Sequence, residues 1–351
     1  MESGTIEQAL PGLEAEPPRT EMKFGHAIPL TPQKRLMVFS GRSHPELAGK
    51  IAEQIDVELG EVELETFANG ESYCRYVESI RGADIFIVQT GSEPVDRNLM
   101  ELLMMIQAAR LASAKRITAV VPLYPYARQD RKAKPREPIS GRLVADMLQL
   151  AGADRVLTMD LHAGQLQGFF TIPVDHMTAL PLFARHFRDM GLTGDGVVSV
   201  SPDAGRAKLA VRFAEMIEAN FAIMHKTRPA HDAVEVTEVT GRVRDKVVIV
   251  GDDVIMTGGT LLANVAALKE SGARDVFVFA THGIFCGDAL ERFAESDITG
   301  IVVTDTVPVD PTRRPPNMTV LTVSGLLAET IMNVFADDSV SAIFGGENQL
   351  F

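Results

Sequence analysis

The stretch Lys246-Val247-Val248-Ile249-Val250-Gly251-Asp252-Asp253-Val254-Ile255-Met256-Thr257-Gly258-Gly259-Thr260 decides the fold. Residues 247–250 form a short β-branched apolar run, the composition of a strand buried on both faces. Further on, Leu262, Val265, Ala266 and Leu268 recur at helical spacing, so the Thr-Gly-Gly-Thr turn sits between a strand and a helix N-terminus. Backbone N–H groups at such a junction bind phosphate, and glycines let the oxyanion approach closely. Asp252 and Asp253 cannot bind phosphate themselves; they suit the two hydroxyls of a ribose, or a magnesium ion beside it. In isolation such residues make a helix cap and a tight turn. The ordered series of strand, acid pair, hydroxyl, two glycines and hydroxyl points instead to a sugar phosphate as guest.

Outward from this stretch, strand-like segments occur at 36–40, 85–89, 117–122, 156–159, 197–201, 221–225, 276–280 and 301–304. Amphipathic helices are expected over 45–57, 99–112, 143–151 and 261–271. The alternation predicts an α/β fold, with mostly parallel sheets flanked by helices and repeated in two domains. A length of 351 residues accommodates two domains. The expected division is a mobile tail at 1–34, punctuated by Pro11, Pro17, Pro18, Pro29 and Pro32, then domains at 35–180 and 181–351. The last residues are expected to pack back on the first domain. Segment 117–122 leads into a polar loop as 247–250 does, a faint internal echo. Ligands of open α/β sheets collect beyond the carboxyl ends of strands, where every polar motif here falls.

A hydrophobic content of 46% marks a folded globular chain, and a net charge of −13 argues against general affinity for nucleic acid or an anionic membrane. No apolar run is long enough to span a bilayer, and no basic segment followed by an apolar one opens the chain. The two cysteines, Cys74 and Cys286, lie far apart, which fits a reducing cytoplasm; both read as core residues.

Five further motifs carry chemistry. Tyr124-Pro125-Tyr126-Ala127-Arg128-Gln129 opens a loop with five cations in nine positions, from Arg128 to Arg136. It is a solvated surface loop, a polyphosphate clamp in which Arg128 makes forked hydrogen bonds, or a nucleic-acid contact, an option that the acidic balance of the chain disfavours. Asp160-Leu161-His162 follows a strand and opens a loop that Pro173-Val174-Asp175 closes, so His162 is either structural or a magnesium ligand. In Ser201-Pro202-Asp203-Ala204-Gly205-Arg206, Asp203 either completes a metal shell or caps the next helix. Lys226 and Arg228 stand at the base of a polar stretch running to Arg244, in which Pro229, His231, Asp232 and Gly241 argue against regular structure. That stretch is an active-site lid delivering cations to a transferring phosphoryl group, or a basic surface hairpin. Finally, Phe67-Ala68-Asn69-Gly70-Glu71 joins two strand-like runs, and either stacks on a purine or simply makes a hairpin turn with Phe67 in the core.

Together these stretches resemble the ribose-phosphate diphosphokinase (phosphoribosyl pyrophosphate synthetase) family over residues 36–344, with six motifs in the family's order. The resemblance implies two phosphoribosyltransferase-like domains and a site between them completed by a neighbouring subunit. It also implies a cytoplasmic homo-oligomer, a hexamer assembled from dimers, activated by inorganic phosphate and inhibited by ADP. Phe67, Asn69, Gly70 and Glu71 would contact ATP from the adjacent subunit, and Arg128 and Gln129 would contact ATP too. His162 and Asp203 would serve Mg2+. Lys226 and Arg228 would act in transfer, Arg228 also meeting ribose 5-phosphate. Asp252 and Asp253 would hold the ribose hydroxyls, and Met256, Thr257, Gly258, Gly259 and Thr260 the 5-phosphate. The implied reaction moves the β,γ-diphosphoryl group of Mg-ATP to ribose 5-phosphate. Met256 stands where most relatives carry Asp, Ala133 and Thr171 stand where many carry acids, and Arg206 replaces a usual Gly. A tail before Leu36 is extra. A phosphoribosyltransferase shares the ribose-phosphate loop and is the nearest alternative; Met256 keeps open a non-catalytic regulatory member.

Overall fold

The structure, a computed structural model, describes residues 34–227 and 236–344. The tail expected over 1–34 lies, but for Lys34, outside them, as does Arg228.

From β1 (Leu36–Ser40) the chain enters α1 (Pro45–Gln54), whose Pro45 occupies the first helical position, where a missing N–H leaves nothing unpaired. A hairpin of β2 (Val62–Thr66) and β3 (Ser72–Tyr76) forms a separate two-stranded sheet. Then follow β4 (Asp84–Val88), α2 (Val95–Leu111), β5 (Arg116–Val121), α3 (Ser140–Ala151), β6 (Arg155–Met159) and β7 (Val174–Met177). They complete a five-stranded, all-parallel sheet in the order β1-β4-β5-β6-β7.

After α4 (Leu180–Asp189) come β8 (Val197–Ser201), α5 (Ala207–Met216), β9 (Asn220–Thr227), β10 (Val236–Thr240), β11 (Val247–Ile255) and α6 (Gly259–Glu270). The chain continues through β12 (Asp275–Gly283), α7 (Ala289–Ala294), β13 (Gly300–Thr304), β14 (Met318–Leu321) and α8 (Ser324–Ala336). This sheet has seven strands in the order β10-β9-β8-β11-β12-β13-β14, and β10 is its antiparallel member. The parallel strands are near-continuous Val/Ile runs because helices cover both faces, as the α/β reading expected.

One hydrophobic cluster spans the two sheets. On α4, Leu180, Phe183, Ala184 and Phe187 recur at i, i+3, i+4 and i+7 and are all buried. Phe183 and Phe213 each stack 4.6 Å from the Phe279 ring, and Phe187 closes the group 5.8 Å from Phe213. The same cluster takes in Val38, Leu47 and Phe86 from the first sheet and its helix, and Val323, Leu327 and Ile331 from the end of the chain. Thus α8 packs on α1.

Three expectations need correction. The apolar run at 247–250 is only the first half of β11, which continues through the acid pair to Ile255. Beyond β8 it still pairs with β12, Asp252 with Ala280 and Ile255 with Gly283, so the carboxylates lie within a strand and not after one. The polar stretch after Arg228 is not wholly irregular: Val-Thr-Glu-Val-Thr at Val236–Thr240 is β-branched and pairs back on β9. Val174 and Asp175, read with Pro173 as the close of a loop, belong to the edge strand β7.

Phe187→Ala removes the ring that links α4 to α5 and β12. It is expected to cost about 3–5 kcal/mol and to lower the melting temperature by roughly 6–20 °C in scanning calorimetry. A fall of less than about 3 °C would show that this cluster repacks freely.

Candidate functional site

The carboxyl ends of the parallel strands of both sheets meet across two cavities. The first, about 1000 Å³, is lined by residues 91–97 after β4, by residues 123–129 after β5, and by Met256, Ile284 and Cys286 from the second sheet. The second, about 620 Å³, is lined by Asp130, Arg131, Gln165, Asp203, Arg206, Lys208 and Asp252. Asp160, Leu161, His162 and Asp253 line both and form the wall between them.

That wall is fixed by hydrogen bonds between the two sheets. Asp160 sits at a positive φ of 33°, uncommon for a residue with a side chain. Its Oδ2 accepts from the Ala179 N–H at 2.8 Å and from the Thr281 hydroxyl at 2.6 Å. The next N–H, of Leu161, donates to His176 Nε2 at 2.8 Å. This tight turn presents His162 to the acid pair, with His162 Nδ1 lying 2.8 Å from Asp253 Oδ2. Behind it, burial lowers the His282 imidazole below its usual value, and Nε2 bonds the Met159 carbonyl at 3.1 Å.

Arg206 joins the same group. Its guanidinium lies 3.3 Å from Asp252 Oδ1, 2.5 Å from Asp253 Oδ1 and 3.0 Å from His162 Nδ1. The contact to Asp253 Oδ1 is an ion pair in which the guanidinium N–H is not aligned as a hydrogen bond. His162 Nδ1 can serve one neighbour at a time: as N–H it donates to Asp253, as a lone pair it accepts from Arg206. Burial alone would raise the Asp253 carboxyl, but the His162 hydrogen bond and the Arg206 charge hold it well below the usual carboxylate range. Burial and the adjacent Asp253 charge push the Asp252 carboxyl the other way, upward.

The Thr-Gly-Gly-Thr turn follows β11 directly. Gly258 is the N-cap of α6 at φ 68°, and a Cβ there would stand 2.1 Å from a ring carbon of Phe293, so only glycine fits. The N–H groups of Gly259, Thr260 and Leu261 have no acceptor among the described residues, the normal state of a first helical turn. Arg292 Nη1 donates to the Thr257 carbonyl at 3.3 Å, which places a cation beside those amides. Thr257 and Thr260 are exposed, and of residues 256–260 only Met256 lines either cavity.

The other expected site residues divide. Arg128 and Gln129 line the first cavity; Arg128 Nη1 reaches the Met256 thioether at 2.6 Å, and Gln129 accepts from the Ser140 hydroxyl. Phe67, Asn69, Gly70 and Glu71 form the tip of the β2–β3 hairpin and line neither cavity. There Asn69 Oδ1 accepts from the Glu71 N–H, while Phe67 is 48% exposed and so is not a core residue. Lys226 is the penultimate residue of β9. His162 and Asp203 line the second cavity together, and Asp203 caps the short turn at Ala204–Arg206 through the Arg206 N–H. Among the described residues no three His, Cys, Asp or Glu side chains are grouped to hold a metal ion. Cys74 is half-buried, and burial pushes its thiol up to about 11; Cys286 is a cavity residue and not part of the core.

Two contributors carried no expectation. Arg206 registered only as a departure from a glycine, although a cation shortly beyond a strand-end proline and acid is a signal in itself. Residues 91–97 follow β4 by the same rule that singled out the other strand ends, but Glu93, Asp96 and Arg97 are of mixed sign and make no run of one charge.

Comparison with known proteins agrees with the geometry. Residues 36–152 match the N-terminal domain of ribose phosphate pyrophosphokinase, and residues 228–345 match the phosphoribosyl synthetase-associated domain. The ribose-phosphate pyrophosphokinase of Corynebacterium efficiens is 47% identical over 317 residues, covering 90% of this chain and 97% of the relative. That of Mycobacterium tuberculosis is 46% identical over 318 residues, with 90% and 97% covered. The crystal structure of phosphoribosylpyrophosphate synthetase from Mycobacterium smegmatis superposes with a TM-score of 0.81 at 46% identity, over 87% of this chain and 100% of that one. Sequence, fold and strand-end residues agree, and the chain belongs to the ribose-phosphate pyrophosphokinase family.

Proposed function

We propose that the chain is a ribose-phosphate diphosphokinase, which transfers the β,γ-diphosphoryl group of Mg-ATP to the C1 hydroxyl of ribose 5-phosphate. The C1 oxygen bonds to the β-phosphorus, the bond from that phosphorus to the α,β-bridging oxygen breaks, and AMP leaves; the hydroxyl proton is released. The observation that carries the reading, beside family membership, is the Asp252–Asp253 pair on the cavity wall, carried by the strand that leads directly into the first-turn amides of α6. A sugar hydroxyl finds carboxylate acceptors at this pair, and a phosphate supplies the acceptor that the amides lack.

Asp252 and Asp253 hold the ribose hydroxyls, and Met256, Thr257, Gly258, Gly259 and Thr260 receive the 5-phosphate. Arg128 and Gln129 face ATP in the first cavity. Phe67, Asn69, Gly70 and Glu71 serve a neighbouring subunit's nucleotide, a role supported by their exposure at a hairpin tip outside the cavity lining. Lys226 and Arg228 neutralise the diphosphoryl group as it moves, and phosphoryl transfer asks for little more than positioning and positive charge. Mg2+ enters as the ion that ATP carries, with His162 and Asp203 placed to meet it. A resident metal ion does not fit the acid pair, because Arg206 already lies on both carboxylates, and no step depends on one. A homo-oligomer, a hexamer by family resemblance, working in the cytoplasm with domains dividing near residue 180, completes the proposal. Among the described residues no helix is long and apolar enough to cross a membrane.

The purified protein with ATP, ribose 5-phosphate and Mg2+ is expected to yield AMP and phosphoribosyl diphosphate in equal amounts by phosphorus NMR; ADP and inorganic phosphate instead would overturn the assignment. Gly258→Val forces a side chain into the Phe293 ring and is expected to lower kcat/KM for ribose 5-phosphate by about a hundredfold or more, equivalent to roughly 2.7 kcal/mol. Met256→Asp leaves the backbone donors in place and is expected to shift KM for ribose 5-phosphate by no more than about threefold. A large gain in kcat from a nearly inactive parent would instead favour the regulatory reading.

A further inference from the structure

We propose that the Arg206 guanidinium takes the place of a protein-bound divalent cation at the acid pair, so that ribose 5-phosphate binds without metal and Mg2+ arrives only with ATP. The proposal rests on the reading of Asp252 and Asp253 as ribose-hydroxyl acceptors.

Three groups that a resident cation would use converge on one side chain. Arg206 contacts Oδ1 of Asp252, Oδ1 of Asp253 and Nδ1 of His162, all within 3.3 Å. The residue is held in place at its backbone, where its N–H donates to Asp203 Oδ1 at 3.0 Å, and its side chain is only 21% exposed. A guanidinium stays charged at every working pH, and its planar fork spans two neighbouring carboxylates, as a compact ammonium does not. A divalent ion on the same oxygens would stand within hydrogen-bond reach of that fixed positive charge. Asp203 uses Oδ1 to cap the backbone of Arg206, which leaves Oδ2 for the ion that ATP carries.

The consequence is an altered division of labour. Arg206 and His162 hold the Asp253 carboxylate in position before any ligand arrives, so the sugar meets a preorganised site. The single positive charge neutralises less than a divalent ion would, which leaves room for the charge that Mg-ATP brings.

The test uses Mn2+ as the probe, read by electron paramagnetic resonance, and calorimetric titration of ribose 5-phosphate. Wild-type protein without nucleotide is expected to leave Mn2+ free in solution. It is expected to bind ribose 5-phosphate equally well in EDTA and in Mn2+. Arg206→Gly is expected to gain one Mn2+ site. Its affinity for ribose 5-phosphate in EDTA should fall by about tenfold or more and recover when Mn2+ is added. Arg206→Lys, which keeps a charge but loses the fork, is expected to fall between the two. Stoichiometric Mn2+ binding to the wild type, or ribose 5-phosphate binding to it only with metal, would overturn the proposal even if glycine at 206 unfolds the loop. If ribose 5-phosphate binds under none of these conditions, the ribose reading falls, and this proposal with it.

Discussion

Two adjacent carboxylates inside a buried strand must be compensated, and the arrangement of the strand ends follows from that requirement. Burying an uncompensated carboxylate costs several kcal/mol, so Asp253, only 7% exposed, demands partners from outside its own strand. One comes from the first sheet, as His162 beyond β6, and the other from the second, as Arg206 beyond β8. Neither partner is near the acid pair in sequence. The site therefore exists only when the two sheets are docked, and the wall between the two cavities is the product of that docking.

The parallel strands were the most legible part of the chain, because a run such as Ile117–Val121 with helices on both sides has few other ways to be buried. Their ends were less legible. Asp252 and Asp253 read as the close of a strand since charge normally ends one, yet β12 is equally long and carries the pairing on to Ile255. Val236–Thr240 was hidden by the polar residues around it, although its valines and threonines are β-branched on the pattern of an edge strand.

Within the site, backbone chemistry was readable and side-chain partnership was not. Gly258 announces a left-handed position through its type and place, and the helix N-terminus announces its free amides. By contrast, the meeting of Arg206 with the acid pair depends on the turn that Asp203 caps, a matter of three-dimensional reach. Asp203 illustrates the difficulty: a carboxylate beyond a strand serves equally for metal and for capping, and only the partner decides.

The hydrophobic cluster around Phe183, Phe187, Phe213 and Phe279 runs from one sheet to the other without a break. A molecule joined in this way has no hinge at its middle. Parting the sheets would expose buried aromatic faces to water, at a cost approaching that of unfolding. Traffic into the cavities must then pass through the loops at the strand ends while the body stays closed, and heat should melt both sheets in a single cooperative step.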